Sequence, residues 1–118
     1  MPSSDPVQRF TDILDSIVRI RRFVAGMDIV SFANSEQTVH AVKYALLIIS
    51  EAAVKLDETA TNLCPGIPWR EVRGLGNRLR HEYDTIDVMR IWFLIERDLP
   101  PLAAACEEAI QSLSDPPP

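Results

Sequence analysis

The chain has 118 residues, of which 47% are hydrophobic and 25% are charged, and its formal net charge at pH 7 is -5. This length predicts a single domain over residues 1–118 and excludes a large α/β enzyme with a complete nucleotide-binding crevice. The apolar content excludes a disordered or fibrous protein, because it provides ample material for a core.

The charges are unevenly distributed along the chain. Residues 66–81 contain four arginines and one glutamate, a net charge of +3, so the remaining residues carry -8. An acidic balance ordinarily argues against a nucleic-acid-binding protein. Because a basic segment is set in an acidic body here, the net charge alone does not exclude an RNA partner.

No segment is typical of an exported or membrane-spanning protein. The first ten residues lack the layout of a secretory signal. The most apolar run, residues 45–50, is far shorter than the roughly 20 residues that cross a bilayer. Cys64 and Cys106 form no metal or redox motif. We therefore expect a cytoplasmic protein without membrane association, whose cysteines are ordinary buried thiols.

The first predicted helix begins after Asp5, a residue type that caps helix N-termini, with Pro6 at the first helical position. Apolar residues then recur every three or four positions, and the helix ends at Ala25 and Gly26. The sequence of residues 28–33 predicts one short turn of helix.

The second predicted helix starts near Asn34 or Ser35. Its apolar residues are spaced alternately three and four apart, as in the seam of a helical bundle: Val39, Val42, Leu46, Ile49, Ala53 and Leu56. Another side of this helix carries a polar stripe of His40, Tyr44, Glu51 and Lys55. Glu51 has apolar neighbours, so we expect it to be half-buried.

Two further helices follow a loop over residues 62–67. Pro68 occupies the first position of the third helix, which fades near Tyr83. Asp87 caps the fourth, and Pro100 with Pro101 must kink or break it. Residues 112–118 predict a disordered tail. The sequence therefore predicts an all-α, up-and-down bundle of four main helices.

The third helix concentrates the side chains that are suited to chemistry. Arg73, Asn77 and His81 are successive i, i+4 neighbours and share one helix face, with Arg70 and Arg80 beside it. Histidine can serve as acid or base near neutral pH, and arginine grips phosphate oxygens. The face therefore suits metal-independent cleavage of RNA. One histidine cannot perform both proton transfers, but a two-fold dimer would bring two such faces together.

Simpler interpretations of the same residues stay open. A histidine in the last turn of a helix commonly caps carbonyl groups and interacts favourably with the helix dipole. The arginines could equally form a solvated helix face or pair with acidic residues of the rest of the chain. Tyr83 could be a core residue whose hydroxyl points outward. No phosphate-binding glycine motif and no metal-ligand spacing occurs in the sequence, so no metal or cofactor is predicted.

The order and spacing of several residues are similar to those of a known family. The residues that carry this similarity are Glu51 with Ala52, Pro65, Pro68 with Trp69, Asn77, His81, Tyr83, Ile86 with Asp87, Trp92, and residues 98–100. Together they resemble HepT, the toxin of the prokaryotic MNT–HepT toxin–antitoxin pairs, which belongs to the HEPN superfamily of helical ribonucleases. The resemblance implies a homodimer with a composite ribonuclease site at the dimer cleft.

The family motif is an arginine, four residues, a histidine, one residue and a tyrosine, commonly with asparagine after the arginine. Asn77, His81 and Tyr83 match it. The resemblance implies that His81 is catalytic, and that Tyr83 receives AMP from the MNT nucleotidyltransferase, which silences the toxin. Gly76, however, stands where the motif has arginine. Arg73 or Arg78 could reach the same phosphate instead.

Gly76 leaves other interpretations open as well. Catalysis could be weakened or lost, or the glycine could allow close packing at the dimer seam. The leading hypothesis is a ribonuclease toxin with catalytic candidates His81, Arg73, Asn77 and Arg78, and RNA-binding candidates Arg70 and Arg80. The alternative is an inactive HEPN module that binds a nucleotidyltransferase and nucleotide or RNA. A third interpretation is an unrelated helical dimerisation protein.

Overall fold

The computed structural model describes residues 5–114, and within that range the chain is helical without a β-strand. The helices are α1 (Pro6–Phe23), α2 (Ile29–Ala33), α3 (Glu36–Leu56), α4 (Glu58–Leu63), α5 (Trp69–His81), α6 (Val88–Arg97) and α7 (Leu99–Ser114). The prediction of an all-α fold is confirmed. No helix in the described part of the chain is long and apolar enough to cross a membrane.

The starts predicted for the first, second and fourth helices are confirmed, and each has a side-chain cap. The third helix differs, because Pro68 precedes it as the N-cap instead of occupying its first position, and no side chain caps it. The Asp5 side chain accepts a hydrogen bond from the Gln8 backbone N–H at 3.2 Å, with Pro6 following at the first helical position. Asp28 and Ser31 form a reciprocal capping box at the short helix α2. Asp87 caps α6 in the same way, by accepting from the Met89 N–H at 2.9 Å.

The core lies between α1, α3 and α7. All six seam residues predicted for the second helix are buried in α3: Val39, Val42, Leu46, Ile49, Ala53 and Leu56. The seam packs against α1, which contributes Phe10, Ile13 and Ile17 to the buried cluster. α1 also packs against α7, which contributes Leu102 and Cys106 to the same cluster. α3 therefore runs through the centre of the fold, and its remaining faces are available to position other elements.

The structure adds one short helix to the prediction, and it confirms that the fourth predicted helix is broken near its two prolines. A short helix, α4, follows α3 because Asp57 adopts a positive φ of 50° and turns the chain between them. The fourth predicted helix is broken at Asp98, just before the prolines. Pro100 and Pro101 lie in the first turn of α7. Backbone N–H groups in a first turn have no partner within the helix, so the missing N–H of proline removes no helical hydrogen bond there.

The prediction of a disordered tail over residues 112–118 is wrong for residues 112–114, which form the last turn of α7. Residues 115–118 lie outside the described residues.

α5, the helix with the candidate catalytic residues, packs mainly against α3. Trp69 is buried at its start, where the indole Nε1–H donates to the Cys64 carbonyl at 2.8 Å. Leu79 is buried near its end. Between α5 and the α6–α7 pair lies an open groove of about 600 Å³, lined by residues that include Leu75, Arg78 and Phe93. α5 is therefore supported on one side and exposed on others.

Candidate functional site

The candidate catalytic residues Asn77 and His81 lie one turn apart on an exposed face of α5. Arg70 is exposed on the same side, whereas Arg73 is half-buried one turn before Asn77. The side chains of Asn77 and His81 make no hydrogen bond or ion pair with any residue in 5–114. Their polar atoms are thus free to contact a ligand, and His81, as the last residue of α5, also lies where the helix dipole favours positive charge.

Gly76 lies on the opposite, buried face and contacts α3 closely. Its backbone N–H donates to the Ser50 Oγ at 2.9 Å, and that hydroxyl donates to the Arg73 carbonyl at 2.9 Å. A Cβ added at Gly76 would overlap the Ser50 Oγ and would lie 2.7 Å from the Ser50 Cβ. Close packing is one of the explanations that the sequence left open for this glycine. In the structure, Gly76 is closely packed between α5 and α3 of the same chain.

Arg80 occupies the space next to this contact. Its Nη1 lies 3.6 Å from the position that a Cβ of Gly76 would take, and 3.9 Å from the Glu51 Oε1 on α3. Both side chains are about half exposed, as expected for Glu51. The ion pair therefore holds a guanidinium beside the residue where the family motif has its arginine.

The two arginines that the sequence offered as substitutes lie elsewhere. Arg78 lines the groove between α5 and the α6–α7 pair. Arg73 precedes His81 by eight residues, which separates their Cα atoms by about 12 Å along the helix axis. Of the three arginines, Arg80 is thus the one beside Gly76. The sequence predicted a role in RNA binding alone for Arg80.

Tyr83 is anchored to α3 by two residues that the sequence analysis did not select as functional. Its hydroxyl lies 2.8 Å from the His40 Nδ1, and the two rings stack with an interplanar angle of 8°. The Lys43 ammonium donates to the Tyr83 carbonyl at 2.6 Å and lies 4.4 Å from the centre of its ring. Burial raises the pKa of the Tyr83 phenol, and the negative charge of Asp84 adds to this effect.

The sequence contains weak signals that His40 and Lys43 have a special role. His40 belongs to the polar stripe of the second predicted helix, and Lys43 interrupts an otherwise apolar sequence. Lys43 is 5% exposed, which is rare for a lysine unless its charge has a partner. The hydrogen bond to the Tyr83 carbonyl and the Tyr83 ring together provide that partner.

The two cysteines belong to the buried core cluster. Cys64 and Cys106 are free thiols and are buried, as predicted. Over residues 5–114, no group of three or more His, Cys, Asp or Glu side chains is placed to hold a metal ion.

Comparison with known proteins identifies the family. The family described as "Ribonuclease HepT-like" matches residues 13–109. "Putative RNase MJ1380" of Methanocaldococcus jannaschii is 33% identical over 96 residues, covering 81% of this chain and 88% of that protein. "Probable ribonuclease HepT" of Thermococcus cleftensis is 33% identical over 97 residues, covering 82% and 88%.

A third relative extends over nearly the whole chain. "Putative RNase MJ0125" of Methanocaldococcus jannaschii is 29% identical over 115 residues, covering 98% of this chain and 99% of that protein. No solved structure matches the chain significantly. From the extent of the family match and the identity to these relatives, the chain belongs to the HepT-like ribonuclease family.

Proposed function

We propose that this protein is a metal-independent endoribonuclease toxin that acts as a homodimer in the cytoplasm. Family membership and the ribonuclease names of its relatives support an RNA substrate. The observation that carries the proposal is the exposed Asn77–His81 pair on α5, whose polar atoms have no partner in residues 5–114, next to the guanidinium of Arg80.

The proposed reaction uses the 2′-hydroxyl of the RNA as nucleophile. An imidazole of His81 accepts its proton as the hydroxyl oxygen attacks the adjacent phosphorus, and the P–O5′ bond breaks. The same histidine of a second copy protonates the leaving O5′ atom, so the products carry a 2′,3′-cyclic phosphate and a 5′-hydroxyl. Asn77 orients the phosphodiester, and a guanidinium stabilises the charge that builds on its oxygens.

Three arginines are candidates for that guanidinium. Arg80 has the best position, because Glu51 holds it beside Gly76. Arg73 and Arg78 remain candidates if RNA binding moves their long side chains. Arg70, and Arg80 where Arg73 or Arg78 supplies the catalytic guanidinium, would contact phosphates elsewhere along the RNA.

A cleavage assay tests this proposal. The purified chain, kept in a metal chelator, is incubated with a fluorescent RNA beside its His81→Ala, Arg80→Ala, Arg73→Ala and Arg78→Ala variants. Arg22→Ala, a change on the exposed surface of α1, is the matched control. We expect His81→Ala to lower the rate by about 10²-fold or more, and Arg80→Ala to lower it more than either other arginine variant. If the wild-type chain and His81→Ala were equally inactive while both were folded and dimeric, the proposed ribonuclease activity would be refuted.

Two solution measurements bear on binding and assembly. The affinity for RNA should fall steeply with added salt, because basic side chains that contact phosphates release counterions from the RNA. A flat response would contradict the role of the basic face. Gel filtration should give a dimer, and a monomer would make a site shared between two copies untenable.

A second function is favoured by one observation, the contact of Gly76 with Ser50. Because this contact leaves no room for a side chain, the motif arginine cannot be present without a change in α3. The alternative is therefore an inactive HEPN module that binds a nucleotidyltransferase and nucleotide or RNA. RNA binding without cleavage by the wild-type dimer would favour it.

We also propose that an MNT-like nucleotidyltransferase antitoxin silences the protein by transferring AMP to Tyr83. The half-buried but accessible phenol supports this assignment. Co-expression with a small nucleotidyltransferase encoded beside the gene should raise the intact mass by one or more AMP groups. The gain should disappear in Tyr83→Phe and persist in Tyr44→Phe. Persistence of the gain in Tyr83→Phe would refute the assignment.

A further inference from the structure

A carboxylate, an imidazole and a phenol are aligned between α3 and the loop after α5. The Glu36 Oε1 lies 3.6 Å from the His40 Nε2, and the other ring nitrogen, Nδ1, lies 2.8 Å from the Tyr83 hydroxyl. Glu36 and His40 are one helical turn apart, so α3 itself sets their spacing. A nucleophile, a base within hydrogen-bond reach and a third group that orients the base are the usual parts of an activated hydroxyl.

The position of the carboxylate favours one arrangement of the protons. With the proton on Nε2, the ring presents its N–H to Glu36, and the unprotonated Nδ1 accepts the hydrogen bond of the phenol. In the other tautomer, Nδ1–H donates to the phenol oxygen, and the hydroxyl donates to the His40 carbonyl over a longer distance of 3.5 Å. The negative charge beside Nε2 favours the first arrangement.

Lys43 fixes the tyrosine without occupying its hydroxyl. The ammonium binds the Tyr83 backbone carbonyl and lies against the ring, so the phenol oxygen keeps His40 as its nearest polar neighbour. This phenol is protonated at neutral pH, since the ordinary pKa of 10.0 already lies well above 7 and burial raises the pKa of Tyr83 further. A phenol that keeps its proton reacts as a nucleophile only when a base removes that proton.

We propose that His40 is the general base that activates the Tyr83 hydroxyl for nucleotidyl transfer, with Glu36 and Lys43 as positioning residues. This inference rests on the proposed function, since it takes Tyr83 as the acceptor. The Tyr83 oxygen attacks the α-phosphorus of a nucleoside triphosphate that the nucleotidyltransferase supplies. An O–P bond forms, the bond from the α-phosphorus to the bridging oxygen breaks, pyrophosphate leaves, and the phenol proton passes to the His40 Nδ1.

The first test measures the reactivity of the phenol without any partner. The purified chain reacts with an arylsulfonyl fluoride, whose fluoride is displaced by an activated phenol, and the labelled tyrosines are quantified by peptide mass mapping. The chain contains only two tyrosines, and Tyr44, on the exposed side of α3, is the internal control. His40→Asn should slow labelling of Tyr83 by about 10²-fold while leaving Tyr44 unchanged.

Two further variants separate a base from a merely structural contact. Added imidazole should restore labelling of Tyr83 in His40→Ala, because a free base can enter the space that the ring has left. Glu36→Gln, a change at a side chain that is 91% exposed, keeps the fold and should give a smaller loss. Failure of imidazole to rescue His40→Ala, together with normal labelling in Glu36→Gln, would overturn the proposal.

The second test uses the nucleotidyltransferase and ATP labelled at its α-phosphate. Transfer to wild-type Tyr83 with a loss of about 10²-fold in His40→Asn is the expected result. Normal transfer to His40→Asn would overturn the role of His40 and leave the proposed function intact. No transfer to the wild-type chain would overturn the modification of Tyr83 itself, and with it both proposals.

Discussion

Replacing Gly76 by alanine should destabilise this protein, although the same change stabilises most helices. In an exposed helix interior, alanine is favoured over glycine by about 1 kcal/mol. At Gly76, the added Cβ would lie 2.7 Å from the Ser50 Cβ, far inside the 3.5–4.0 Å at which carbon atoms attract each other. Rotating the Ser50 hydroxyl does not relieve this overlap, because it involves the Cβ atom.

The magnitude follows from three contributions. Overpacking in a closely packed core costs about 1–3 kcal/mol. The two hydrogen bonds of the Ser50 hydroxyl, to the Gly76 N–H and the Arg73 carbonyl, contribute about 1 kcal/mol each if they are lost. The helix preference of alanine offsets about 1 kcal/mol of that total. We therefore expect Gly76→Ala to lower the free energy of unfolding by about 2–4 kcal/mol.

Urea unfolding followed by circular dichroism measures this change, and the same helix supplies a matched control. A Cβ at Gly74 would meet nothing within 4 Å, so Gly74→Ala should raise the free energy of unfolding by up to about 1 kcal/mol. In a Ser50→Gly background, Gly76→Ala should no longer be destabilising, because both clashing atoms are gone. Equal stability of the two alanine variants, or the same loss in the Ser50→Gly background, would refute the steric argument.

Three other measurements test the packing and the ionisation of single side chains. Phe32→Ala should lower the free energy of unfolding in urea by about 3–5 kcal/mol, because the Phe32 ring is fully buried. Phe23→Ala, at a side chain that is 41% exposed, should lower it much less. Equal losses of stability in the two variants would contradict this prediction. Burial raises the pKa of Cys106 to about 12, so its thiol should react far more slowly with alkylating reagents in the folded chain than in the unfolded one. In Tyr44→Phe, tyrosinate absorbance should show Tyr83 ionising above pH 10.0. Because folding raises the pKa of Tyr83, its phenol contributes stability that is complete below pH 10.0. This stability is lost as the pH rises through the pKa of Tyr83 in the folded chain. A titration midpoint below pH 10.0 would contradict the burial of the phenol.

The features that the sequence predicts well are those set by near neighbours in the chain. Helix caps such as Asp5 and Asp87 bind a backbone N–H two or three residues away. The α3 seam follows from the helical repeat alone, and so does the shared exposed face of Asn77 and His81. Asp57, by contrast, carries no local signal for its positive φ, so the sequence analysis did not predict α4.

The relations that define the candidate site join residues distant in sequence. Gly76 and Ser50 are 26 residues apart, and Tyr83 and His40 are 43 apart. Which residues of α3 face α5 depends on how the two helices rotate and slide against each other, which neither helical pattern encodes alone. For that reason the sequence shows that Gly76 departs from the family motif but does not predict its contact with Ser50.

The one-sided support of α5 has a consequence for hydrogen exchange. Of its 13 residues, only Trp69, Gly76 and Leu79 are buried, whereas α3 has ten buried residues among 21. Opening α5 away from α3 exposes fewer buried side chains than unfolding α3, so the α5 amides should exchange through a local fluctuation that leaves the packing of α1 with α3 and α7 intact. A ligand that binds only the closed form would slow that exchange in proportion to its affinity. Amide protection along α5 would then report occupancy of this helix for any partner, whether RNA or protein.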